Sequence, residues 1–122
     1  MVQGLFVDNV PFIKVTVALG AAVQTPLFIL DTGFTGDLQV TPKIAVELGL
    51  KPIGVTALRI ANGQTVQVQT ALAFAAMEGA VNYIQVLISD GSPLAGINFL
   101  TKFSYKATVN CKYKTVLLEK VF

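Results

Sequence analysis

Apolar and polar positions alternate with a period of two along much of this chain. Ile13, Val15, Val17 and Leu19 are separated by Lys14, Thr16 and Ala18, the pattern of a strand with one buried face. Gly20-Ala21-Ala22 then turns the chain into a second strand predicted from Val23 to Leu30, and Leu38-Gln39-Val40 predicts a short third. Strands over Val55 to Ile60 and Gln64 to Ala71 meet at Ala61-Asn62-Gly63. Asn-Gly between β-type runs is a strong hairpin signal, because both central residues of such a turn must tolerate positive φ. Val81 to Ile88 follows the turn at Glu78-Gly79, and Asp90-Gly91 turns the chain again. Tyr105 to Cys111 and Lys114 to Val121 read as a closing hairpin. Runs rich in Val, Ile, Thr and Phe between glycine-containing turns predict an all-β chain of six or more strands.

Two segments break the period. In Thr41-Pro42-Lys43-Ile44-Ala45-Val46-Glu47-Leu48-Gly49, a capping hydroxyl, a proline at the first helical position and a terminal glycine predict a helix over Pro42 to Leu48. Leu94 to Phe103 predicts a second short helix, on which Phe99 and Phe103 share a face and read as core.

The composition changes this picture in one respect. Residues 1–122 are about the length of one domain, yet 53% are hydrophobic and only 13% charged, against about 25% charged usually. A small domain cannot hide that much apolar surface alone, which implies a large self-association surface. Membrane insertion fails on length, since the longest apolar run, Ala71 to Met77, falls far short of the roughly 20 residues a spanning helix needs. Met1-Val2-Gln3-Gly4 lacks the basic start and apolar stretch of a signal peptide, so the expected address is cytoplasmic.

The net charge of +2 is spread over scattered lysines. Lys102, Lys106, Lys112, Lys114 and Lys120 read as a solvated strand face, and no nucleic-acid partner is expected. The chain has no histidine, which excludes His-based triads and the usual zinc sites. A single cysteine excludes an internal disulfide, and Cys111, in an alternating pattern, reads as a small core residue.

The candidate chemistry lies in Phe28-Ile29-Leu30-Asp31-Thr32-Gly33-Phe34-Thr35-Gly36. A carboxylate that ends an apolar strand needs a partner or a task, because burying an unpaired charge is costly. Gly33 allows close backbone approach and its N–H can reach the Asp31 carboxylate. As a bare tripeptide, Asp31-Thr32-Gly33 could also be a turn in which Asp31 bonds the backbone two residues on. An aspartyl-phosphate nucleophile usually has a second nearby aspartate or a following lysine, and neither is present. Asp8, Asp37 and Asp90 adjoin Asn or Gly and read as turn residues, with Asp37 near enough to the loop to contact a substrate.

Phe28 to Gly33 resembles the active-site loop of aspartic proteases, hydrophobic-hydrophobic-Asp-Thr/Ser-Gly. Two further features stand in the order of the retroviral-type, or retropepsin-like, members. The Ile60-Ala61-Asn62-Gly63-Gln64 hairpin occupies the position of the flap, and Leu94-Ala95-Gly96-Ile97-Asn98-Phe99-Leu100 that of the later hydrophobic-hydrophobic-Gly segment and helix. The resemblance spans nearly the whole chain and is closest in style to small bacterial and retroelement members. Retroviral enzymes continue Asp-Thr-Gly-Ala-Asp and pair that second aspartate with an arginine after the later glycine. Thr35 and Ile97 stand at those positions here, so that ion pair is absent.

The resemblance implies a single-lobe acid-protease fold, a closed β-barrel with one or two short helices. It also implies a homodimeric endopeptidase, because only one Asp-Thr-Gly occurs and the chemistry needs two carboxylates. Asp31, Thr32 and Gly33 would then be catalytic, with Thr32 bonding across the interface. Phe34, Thr35, Ile60, Ala61, Asn62 and Gly63 would bind a polypeptide substrate, with Gly36 shaping the loop rim. The terminal segments, Met1 to Val7 and Tyr105 to Phe122, would add interface strands. No metal or cofactor is implied, and activity is expected from mildly acidic to near-neutral pH. Two alternatives stay open: a non-catalytic dimeric module of the same fold that binds an extended peptide, and an Asn62-Gly63 that is a plain turn.

Overall fold

Ile13, Val15 and Val17 are all fully buried, as their alternation predicts, yet they do not lie on one strand. In the computed structural model, which describes residues 1–122, the chain forms thirteen strands and two helices. The first strands are β1 (Val2–Gln3), β2 (Leu5–Val7), β3 (Val10–Lys14), β4 (Thr16–Leu19), β5 (Ala22–Gln24), β6 (Leu27–Leu30) and β7 (Leu38–Val40). Helix α1 (Pro42–Leu48) leads to β8 (Gly54–Arg59), β9 (Thr65–Met77), β10 (Ala80–Ile88) and β11 (Leu94–Ala95). Helix α2 (Ile97–Lys102), β12 (Tyr105–Asn110) and β13 (Thr115–Lys120) complete it. No helix is long and apolar enough to cross a membrane.

One ten-stranded sheet runs in the order β2-β3-β6-β11-β7-β10-β9-β4-β5, with β8 paired to β9. It curls into a half-barrel around Ile13, Phe28, Leu38, Phe99 and Phe103. A separate sheet, β1-β13-β12, joins the two ends of the chain. This is the all-β, single-lobe architecture expected from the sequence.

The curl explains the broken strands. β3 pairs with β6, whereas β4 pairs with β9 and β5, so the chain changes partners at Val15. The stretch expected to run from Val23 to Leu30 is cut the same way, into β5 and β6. Pro26 stands at that break, where a residue without an N–H forfeits a ladder bond. β9 runs on to Met77, beyond the expected end at Ala71. There Ala71, Ala73, Ala75 and Met77 face the core while Leu72 and Phe74 face out, so small and large apolar residues alternate and no polar position marks the period.

Helix α1 forms as its punctuation predicts, with the Thr41 hydroxyl accepting from the Ile44 N–H at 3.2 Å and Gly49 closing it. The second helix is shorter than expected: Leu94–Ala95 is a strand, and α2 begins only at Ile97. Phe99 and Phe103 are core residues, with ring centroids 5.0 Å apart. Cys111 is not in the core. β12 ends at Asn110, and Cys111 is exposed in the turn to β13, where the Tyr113 N–H donates to Asn110 Oδ1 at 3.0 Å.

Glu78, in the β9–β10 turn, fastens the small sheet to the large one. It accepts from the chain's amino terminus and, at 2.7 Å, from the Tyr105 hydroxyl on β12. The amino-terminal ammonium, and then Tyr105, hold the Glu78 carboxyl below the usual carboxylate range. Burial, reinforced by Glu78, pushes the Tyr105 phenol up, so it stays a donor. A carboxyl whose folded pKa is depressed supplies stability that is present above its unfolded pKa and lost as pH falls through the folded one. Urea midpoints measured across the acid range should therefore fall less steeply in Glu78→Gln, by a modest margin because the site is exposed.

Candidate active site

The loop of residues 31–37 is positioned by a crossing that the local sequence does not announce. β6 and β7 are consecutive, yet β11 lies between them, parallel to β6 and antiparallel to β7. The loop must therefore leave β6 with Asp31, pass around the end of β11, and return on its far side. Asp31 sits immediately after β6, and its N–H donates to the Ala95 carbonyl on β11 at 3.0 Å.

Gly96 is what lets the loop close. A Cβ there would stand 2.3 Å from the Gly36 carbonyl oxygen and 2.5 Å from that of Phe34. With no side chain in the way, the start of α2 takes up the loop's backbone. The Ile97 N–H donates to the Phe34 carbonyl (2.9 Å), the Asn98 N–H to that of Gly36 (3.2 Å) and the Gly96 N–H to that of Asp37 (2.9 Å). Within the loop, the Gly33 N–H donates to Asp31 Oδ1 at 2.9 Å and the Phe34 N–H to the Asp31 carbonyl at 3.1 Å.

Asp31 opens onto a cleft of about 770 Å³. Gly33, Phe34 and Thr35 line it from the loop, Ala57 to Ala61 from the β8–β9 hairpin, and Gln39, Ser89, Gly91 and Leu94 from the opposite wall. Its apolar side is continuous with a small cluster in which Phe34, Val68 and Leu87 are buried against Leu58 and Leu94. Asp31 and Arg59 are the charged residues of the lining. No three His, Cys, Asp or Glu side chains are grouped where they could hold a metal ion.

The sequence-predicted residues divide into three groups. Asp31, Gly33, Phe34, Thr35, Ile60 and Ala61 meet at this cleft. Thr32 instead lines a second concavity with Ile97, Leu100, Tyr105, Ala107 and Val121. Asn62 and Gly63 form the hairpin tip and do not line the cleft. The tip is also not the two-residue turn that Asn-Gly predicts. The Gly63 N–H donates to the Ile60 carbonyl and the Ile60 N–H to that of Gln64, each at 2.9 Å, leaving Ala61-Asn62-Gly63 as a three-residue loop. Within it only Gly63 takes positive φ (85°), and the Asn62 side chain accepts from the Gln64 N–H across it at 2.9 Å. A two-residue turn with both central residues at positive φ does occur, at Asp8-Asn9 between β2 and β3.

Asp37 is not a turn residue. It is 4% exposed, and its carboxylate is hydrogen-bonded by the Gln85 N–H, Asn98 Nδ2 and Lys102 Nζ. An aspartate beside a glycine gives only a turn signal in the sequence. The one hint of its partners is an Asn and a Lys on the same helix face of the later segment.

No family model and no curated protein sequence matches this chain. Solved structures are similar to it, among them two proteases. One is the EIAV protease complexed with the inhibitor HBY-793, with a TM-score of 0.66 at 16% identity over 84% of this chain and 96% of that one. The other is a retropepsin-like aspartic protease from Rickettsia conorii, with a TM-score of 0.67 at 16% identity over 98% of this chain and 89% of that one. At this identity the likeness is one of fold: the chain has the single-lobe architecture of retropepsin-like aspartic proteases.

Proposed function

We propose that this chain is an aspartic-type endopeptidase that works as a homodimer, each copy contributing one Asp31. The observation that carries the reading is Asp31 itself, at the end of β6 on a backbone-pinned loop, opening onto a cleft walled by the β8–β9 hairpin. The fold shared with the EIAV and Rickettsia enzymes supports it, because this lobe carries one Asp-Thr-Gly where two carboxylates are required.

In the dimer the two Asp31 carboxylates face each other across the two-fold axis. Like charges that close cannot both ionise, so the pair holds one proton between them. The ionised carboxylate takes a proton from water as the water oxygen attacks the scissile carbonyl carbon. The protonated one donates to the carbonyl oxygen, giving a tetrahedral diol. A proton then passes to the amide nitrogen, the C–N bond breaks, and an acid and an amine leave. The Gly33 N–H keeps the Asp31 carboxylate aimed, and Thr32 faces the partner's loop.

Ile60 and Ala61 bear on the substrate backbone, and the Asn62-Gly63 tip closes over it. Phe34, Leu58 and Leu94 offer apolar contact beside the cut. The surface that a second copy covers includes the concavity of Thr32, Tyr105, Ala107 and Val121. Met1, Val121 and Phe122, which flank the terminal strands, are exposed apolar side chains that such a contact would cover.

The test is cleavage of a diverse peptide library at several protein concentrations, beside sedimentation of the same samples. Specific activity should rise with concentration and level off where the dimer saturates. A protein that sediments as a monomer throughout, or a dimer that binds library peptides without cutting any, would contradict the proposal. The second outcome would leave the non-catalytic peptide-binding module.

A further inference from the structure

Asp37 is the only charged residue among the buried ones. Its Oδ2 accepts from the Gln85 N–H on β10 at 2.8 Å and from Lys102 Nζ on α2 at 2.7 Å. Its Oδ1 accepts from Asn98 Nδ2, also on α2, at 2.6 Å. Lys102 Nζ in turn donates to the Tyr83 carbonyl on β10 at 2.9 Å. One carboxylate thus joins the far end of the Asp31 loop to a helix and a strand.

A buried ion pair is a poor way to gain stability, since desolvation offsets much of the Coulomb attraction and apolar replacements often do as well. What it supplies is a fixed geometry. The Asp31 carboxylate lacks such support, because its hydrogen bond comes from the Gly33 N–H alone and no other side chain holds it. Its aim is therefore set by the backbone from Asp31 to Gly36. One end of that stretch is fixed by β6; the other is held by the backbone bonds from Ile97 and Asn98 and, next to them, by the Asp37 carboxylate, which ties the same helix to β10.

We propose that Asp37, Asn98 and Lys102 form a clasp that positions Asp31 for catalysis without touching substrate. The inference rests on the peptidase reading above and adds positioning residues to it. Loosening the clasp lets the loop drift against α2, and a displacement near 1 Å costs up to about 10²-fold in rate.

Lys102→Met removes the cation and keeps an unbranched stem. Amide hydrogen exchange at Gly33, Phe34, Ile97 and Asn98 should become about tenfold faster or more, with β9 amides at wild-type rates. In the same variant kcat should fall about tenfold or more with KM within about twofold, and Lys102→Arg should restore both. If Lys102→Met does not fold, Asn98→Ala removes the neutral arm and should move the same amides and kcat in the same direction. A folded Lys102→Met with wild-type exchange at those amides overturns the clasp, whatever the wild type cleaves. A wild type that cleaves nothing overturns the peptidase reading instead, and the positioning role with it.

Discussion

Asp31→Asn is expected to lower kcat/KM by about 10³-fold or more while leaving fold and dimer in place. The substitution keeps the shape of the side chain and the oxygen that accepts from the Gly33 N–H at 2.9 Å. Asp31 takes part in no ion pair, the two present being Met1–Glu78 and Asp37–Lys102, so no partner is stranded. Stability should move by less than about 0.5 kcal/mol, in the range of substitutions away from such pairs. What disappears is the site's only source of a general base, since an amide neither takes a proton from water nor shares one with its neighbour. Comparison of kcat/KM, melting temperature and sedimentation for the two proteins checks all three points. If Asp31 were only a turn residue, cleavage would survive.

Gly96→Ala should damage the loop and the fold together. The backbone at Gly96 (φ −105°, ψ −176°) is open to any residue, so the cost is steric. The new Cβ would lie 2.3 and 2.5 Å from two carbonyl oxygens and 2.8 Å from Phe34 Cδ2. Backbone oxygens cannot swing aside as a side chain would. Relief therefore requires the loop and α2 to separate, which breaks the Ile97–Phe34 and Asn98–Gly36 hydrogen bonds. Overpacking and the lost bonds together should cost about 3 kcal/mol, read as a lower urea midpoint with an unchanged slope. The fraction that remains folded should cleave poorly, because Asp31 travels with the loop.

What was legible in the sequence is what local chemistry decides. The inward row of Ile13, Val15 and Val17 follows from their alternation, and α1 from Thr41, Pro42 and Gly49. Asp31 follows its strand as expected, because four apolar residues end there at a carboxylate and a glycine. What was not legible depends on partners far along the chain. The break at Val15 leaves the alternation intact, since both halves keep the same face inward while their neighbours change. Strand β11 is two residues long and exists because β6 and β7 bond it from both sides, so Leu94 and Ala95 read locally as helix. Asp37 looked like a turn residue because its strongest partner, Lys102, lies 65 positions away. Cys111 continued an alternating pattern that ended one residue too soon. Thr35 and Ile97 supply no aspartate–arginine pair, and the loop and helix are joined instead by the Asp37–Lys102 ion pair.

The central claim is that one working site needs an Asp31 from each of two chains. The most direct measurement is to unfold wild-type and Asp31→Asn chains together, refold them at varying ratios and fixed total concentration, and record cleavage. Random pairing leaves wild-type homodimers in proportion to the square of the wild-type fraction, so activity should follow that square. Activity that falls linearly with the wild-type fraction would mean that each chain carries a complete site, and would contradict the account.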